Sequence, residues 1–149
     1  MNTIRVAFIG NCHSEKTYTL KKLSSNDTPA QDLYQPTLGM NYEILYYLNY
    51  KFSIIDITGY ERHYSSMSGD LKKDVYSTIS CFFIFHNSSH DIQEPRTWHW
   101  RTPEEWEAEV KSVNNHATIV HIFENDAKAE KVKEVLSSLT MFDDCDKSY

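Results

Sequence analysis

Apolar residues along this chain fall into short runs, separated by polar stretches that carry a helical repeat. Ile4-Arg5-Val6-Ala7-Phe8-Ile9 reads as a strand, followed by a short helix from about Lys16 to Leu23 and a polar loop from Ser24 to Gln35. Two strand-like runs come next, Asn41 to Leu48 and Phe52 to Ile57, joined by a tight link at Leu48-Asn49-Tyr50-Lys51. So short a connection predicts an antiparallel pair, with the first strand at the sheet edge. A short helix ending near Tyr76 leads to Ile79–His86, a continuous apolar run suited to a central parallel strand.

Asn87 to Arg101 is polar and irregular, and Thr102-Pro103-Glu104-Glu105 then opens a helix. Thr102 is its expected N-cap, Pro103 fits the first helical position and Glu105 completes a capping box. Trp106 and Val110 would share the buried face. A strand over 117–123 follows, and a last helix from about Ala127 to Leu139 carries Val132, Val135, Leu136 and Leu139 at helical spacing. This alternation predicts an α/β fold: a mostly parallel sheet with one antiparallel edge strand and helices on both faces. At 149 residues the chain reads as a single domain over 1–149.

The chemistry concentrates behind the first strand. Gly10-Asn11-Cys12-His13-Ser14-Glu15-Lys16-Thr17 fits the phosphate-loop pattern of glycine, four residues, glycine, lysine, then serine or threonine, except that Glu15 replaces the second glycine. Such a loop turns successive backbone N–H groups inward onto phosphate oxygens and adds the positive end of the following helix. Lys16 would reach the outer phosphates and Thr17 would place a hydroxyl on Mg²⁺. Glycine is wanted where φ is positive or the ligand comes close. Glu15 sets a carboxylate there.

Downstream, Tyr34-Gln35-Pro36-Thr37-Leu38-Gly39 precedes the two-strand unit, whose second strand ends in Asp56-Ile57-Thr58-Gly59-Tyr60-Glu61-Arg62. Over roughly residues 4–90 the order and spacing resemble Ras-superfamily small GTPases, the Rab and Ran branches most of all, with their "YxPTxG" and "DTAGQER" segments. The resemblance implies a small-GTPase-like sheet, with Gly10 to Thr17 and Gly59 binding nucleotide phosphate. It further implies Mg²⁺ held by Thr17, Thr37 and Asp56, the last through water. Residues 1–76 would form the phosphate and switch half.

Against that pattern the chain departs at several positions. Tyr60 stands where the family has the glutamine that orients the attacking water, so hydrolysis by the family mechanism should be lost or very slow. The family's Asn-Lys-x-Asp guanine motif falls on Glu124-Asn125-Asp126-Ala127, with Ala127 in place of the aspartate. Asn125 and Asp126 are the doubtful base-binding candidates, and capping of the next helix is the competing role. Beyond Leu139 the remaining residues would add a short strand but no full helix, so residues 77–149 read as an eroded base-binding half.

Composition narrows the partners. A net charge of −6 argues against nucleic acid and supplies no polybasic membrane signal. Residue 2 is Asn rather than Gly and no prenylation box is evident, so no membrane anchor is expected. Cys12, Cys81 and Cys145 are scattered, which fits a reducing, cytoplasmic compartment rather than a disulfide framework.

His86, His90 and His99 invite a zinc site but lack a Cys pair or a third ligand at metal spacing. Cys12 and His13 are adjacent, which ill suits a nucleophile–base pair. Trp98 and Trp100 would serve an interface if exposed and the core if buried. The first expectation is thus a degenerate small-GTPase-like protein that works by protein–protein interaction through a switch-like surface over 34–62, leaning away from an enzyme. The alternative is a working GTP/GDP switch with weakened guanine specificity. Mg²⁺ and GTP or GDP are its cofactors if nucleotide binding is retained, and otherwise there are none.

Overall fold

The computed structural model describes residues 3–11, 15–24, 40–57, 69–87 and 101–146. Their strands form one five-stranded sheet: β1 (Thr3–Gly10), β2 (Met40–Tyr47), β3 (Tyr50–Ile57), β4 (Cys81–Phe85) and β5 (Thr118–Ile122), in the order β2-β3-β1-β4-β5. β1 pairs in parallel with β3 and β4, and β4 in parallel with β5. β2 pairs antiparallel with β3 and stands at the edge. Four helices are described: α1 (Lys16–Ser24), α2 (Gly69–Tyr76), α3 (Pro103–Val113) and α4 (Lys128–Asp146).

Alternation along β1 sets the two layers. Val6 and Phe8 face a core shared with Leu20 and Leu23 of α1 and with Ala129, Val132 and Leu136 of α4. Ala7 and Ile9 face the opposite core, with Tyr76 of α2 and with Trp106 and Val110 of α3. β4 is buried on both faces, which explains its unbroken apolar run. The expected α/β layering with helices on both faces is therefore present.

Three boundaries differ from the sequence expectation. The hairpin link is a two-residue turn, Leu48-Asn49, with both φ values positive (53° and 63°), so β3 begins at Tyr50 rather than Phe52. Two positive φ values match the right-handed twist of the flanking strands. β4 starts at Cys81 rather than Ile79. The last helix runs to Asp146 rather than stopping at Leu139, so no terminal strand follows it among the described residues. α3 follows the expectation closely: the Thr102 hydroxyl accepts from the Glu105 N–H at 3.1 Å, and the Glu105 carboxylate accepts from the Thr102 N–H at 3.0 Å.

No described helix is long and apolar enough to cross a membrane.

Candidate functional site

The strand order reverses direction of travel between β1 and β4, so the loops leaving their C-terminal ends flank the usual ligand crevice of an open α/β sheet. Gly10 sits at that crevice with φ +137°, and a Cβ there would lie 2.2 Å from the Phe85 carbonyl oxygen. Only glycine fits such a close approach of two strand ends. Asn11 continues the contact, its N–H donating to the Phe85 carbonyl at 3.1 Å.

Glu15 has φ +68°, the left-handed conformation that the phosphate-loop pattern assigns to its second glycine. Its carbonyl accepts from Thr19 N–H at 2.9 Å, opening α1. The next residue, Lys16, is buried, and its ammonium donates to the carbonyls of Asn11 at 2.9 Å and Gly10 at 3.3 Å. Gly10 and Glu15 thus both hold positive φ at the ends of the segment that leads from β1 into α1.

The Glu15 carboxylate does not turn toward Lys16. It reaches Lys128 at 3.2 Å, while the Lys128 ammonium also donates to the Glu124 carbonyl at 3.0 Å. A pairing of Glu15 with Lys16 or Arg62 is the natural guess from sequence. Lys16 is instead engaged with loop carbonyls, and Arg62 lies outside the described residues. Lys128 was not legible as a partner because it lies 113 positions further on, at the start of α4.

Asp56 is fully buried at the end of β3, opposite Phe8 of β1. It therefore shares the C-terminal edge of the sheet with Gly10. Of the other expected phosphate and Mg²⁺ residues, Thr17 lies in the first turn of α1, with its side chain outside the described residues. Cys12, His13, Ser14, Thr37, Gly59 and Tyr60 also lie outside them, as do residues 34–39 and 58–62 of the 34–62 surface.

The base side is built for turn formation. Asp126 Oδ2 accepts from the Phe123 N–H at 2.7 Å and from Lys131 Nζ at 3.0 Å. These bonds, the backbone one first, hold its carboxyl below the usual carboxylate range. The Asp126 N–H in turn donates to the Phe123 carbonyl at 3.0 Å. Asp126 thus closes the turn that leads into α4. Asn125 and Ala127 are exposed.

A polar chain that the sequence did not reveal joins three elements beside the crevice. His86, just after β4, bonds His121 of β5 at 2.7 Å between Nε2 and Nδ1, and His121 Nε2 meets Glu107 of α3 at 3.2 Å. Burial, together with the charge of His121, pushes the His86 pKa down to about 4, with Glu104 pulling the other way. His86 is therefore paired with a residue 35 positions away, while His90 and His99 lie outside the described residues. Among the described residues no group of three or more His, Cys, Asp or Glu side chains is placed to hold a metal ion. Cys81 is buried in the sheet and its thiol is pushed up to about 12, which leaves it unreactive.

No protein-family model matches the chain, and neither does any curated protein.

Proposed function

We propose that this chain is a small-GTPase-like domain that acts through protein partners, with hydrolysis lost or very slow. The carrying observation is Glu15: it holds the left-handed turn position of the loop and delivers its carboxylate to Lys128. A carboxylate on the loop opposes a polyphosphate, and the 58% exposure of the Glu15 side chain to water weakens that opposition without removing it. The commitment of Asp126 to Phe123 and Lys131 adds support, since it leaves no described carboxylate arranged as a guanine acceptor after β5. Tyr60 at the glutamine position supports loss of hydrolysis.

The second reading, a working nucleotide switch of weak base specificity, is favoured by one observation. Lys16 is buried and draped over the Gly10 and Asn11 carbonyls, where an ammonium would already be placed for an incoming phosphate.

Titration of nucleotide-stripped protein with fluorescent GTP, GDP and ATP, with and without Mg²⁺, separates the two. No saturation by a protein that is folded by circular dichroism is the expected result. Magnesium-dependent saturation below about 10 μM, or roughly 7 kcal/mol of binding, and lost in Lys16→Ala, would establish the switch instead.

A further inference from the structure

Asn11 is 2% exposed, and its side chain is engaged well beyond its own stretch of chain. It crosses to the residues that open α3. Its Oδ1 accepts from the Arg101 backbone N–H at 2.9 Å and from the Trp106 indole N–H at 2.9 Å, and its Nδ2 donates to the Arg101 carbonyl at 3.1 Å. An amide is the side chain that offers a strong acceptor and a donor on one short planar group; aspartate lacks the donor and serine lacks the reach.

The backbone of the same residue ties in two other parts. Its N–H donates to Phe85 at the end of β4, and its carbonyl accepts from the Lys16 ammonium at 2.9 Å. Any rearrangement that draws Lys16 away must therefore release a bond to Asn11. The far side of the connection is stiff. Trp106 is 3% exposed, the Arg101 guanidinium lies 4.8 Å from its ring centroid, and Arg101 is also bonded to Glu109 at 2.6 Å. Buried bonds of this kind cannot be left half-made without the full desolvation cost of the orphaned group.

We infer that Asn11 is a positioning residue that couples the phosphate-type loop to α3, so that a change in the loop is felt at the exposed face of that helix, around Glu104, Glu105 and Ala108. The coupling goes beyond the function proposed above and does not depend on it. It needs no nucleotide, because a change made within the loop itself is enough to exercise it.

The test uses ¹⁵N-labelled full chain and two readouts: the Trp106 indole N–H resonance, assigned by its loss in Trp106→Phe, and amide exchange along α3. Lys16→Ala is expected to shift the indole resonance and to speed exchange in the first turns of α3. On an Asn11→Ala background the same Lys16→Ala change should move neither. A merely structural Asn11 would lower stability yet leave the response to Lys16→Ala intact in both backgrounds, and that result would overturn the inference, as would no response in the unmodified background.

Trp106→Phe keeps an aromatic side chain while removing the N–H donor along with part of the indole's volume, and a mutant cycle subtracts that packing loss, so it answers the question even if Asn11→Ala fails to fold. A cycle of Lys16→Ala with Trp106→Phe should then show a coupling of roughly fivefold or more in the unfolding constant. Strict additivity in that cycle, with α3 exchange responding equally in both backgrounds, would also overturn the inference.

Discussion

A glutamate at φ +68° pays a backbone penalty that glycine would not, and Glu15 offsets little of it through an ion pair that is 58% exposed on its side. The left-handed strain is worth about 1–2 kcal/mol, and an exposed pair contributes about 0–1 kcal/mol. Glycine would relieve the strain but give back about 0.5–1 kcal/mol through the freedom of its unfolded chain. These terms nearly cancel, so Glu15→Gly should leave the urea midpoint within about 1 kcal/mol of the parent in free energy. Its effect on ligand binding should be larger, because it removes an anion from the loop mouth and frees Lys128. We expect affinity for magnesium-bound triphosphate to rise by about tenfold or more, equivalent to about 1.4 kcal/mol. A variant of unchanged stability that gained no affinity would show that Glu15 is not what closes the loop.

At the scale of whole elements, α3 depends on local signals and α4 does not. Thr102→Ala removes the acceptor for the Glu105 N–H and should cost about 1 kcal/mol, read as a lower urea midpoint with an unchanged slope. No loss would mean that packing of Trp106 and Val110 alone fixes where the helix begins. The same contrast explains what the sequence made legible. The capping box, the proline at the helix start and the Trp106–Val110 face lie within a few residues of one another, so reading them needs no knowledge of the fold.

α4 outlasts its apolar pattern, and hydroxyls near its end bond to their own helix. Ser137 Oγ donates to the Lys133 carbonyl, Ser138 Oγ to Glu134, and Thr140 Oγ1 to Ser137. Glu15 shows the other limit. Its left-handed backbone could be inferred from the glycine that the pattern wants at that position, whereas its partner Lys128 depends on how α4 is brought beside the loop. The Asn11, Glu15 and His86 contacts all pair residues far apart in sequence, and no spacing rule reaches them.

Across the molecule, the chain from His86 through His121 to Glu107 binds the end of β4 to β5 and to α3. The Glu107 carboxyl is held below the usual range, first by its hydrogen bond to His121 and further by Lys111, so it accepts from His121 Nε2–H. The bond between His86 Nε2 and His121 Nδ1 takes one proton, carried by either ring according to the tautomer. Lys131, bonded to the His121 carbonyl, adds a cation on the far side, and Glu104 is the anion that favours a charged His86.

His86 is neutral in the fold down to about pH 4, whereas an unfolded histidine takes up its proton near 6.5. Between those values the unfolded state binds more protons, so stability falls as pH drops through this window and is level above it. The lowered carboxyls of Glu107 and Asp126 act in a separate window further toward acid, where stability is lost as they are protonated in the fold. Net charge cannot imitate the first window, because with a pI near 5.6 the molecule has little self-repulsion there. Urea melts at pH 7 and pH 4.5 should therefore differ by an amount on the order of 2 kcal/mol. In His86→Gln, whose amide can donate or accept toward His121 but cannot be protonated, most of that difference should disappear. An equally steep decline in the variant would mean that the acid sensitivity arises elsewhere and that His86 takes up its proton in the fold as readily as in the unfolded chain.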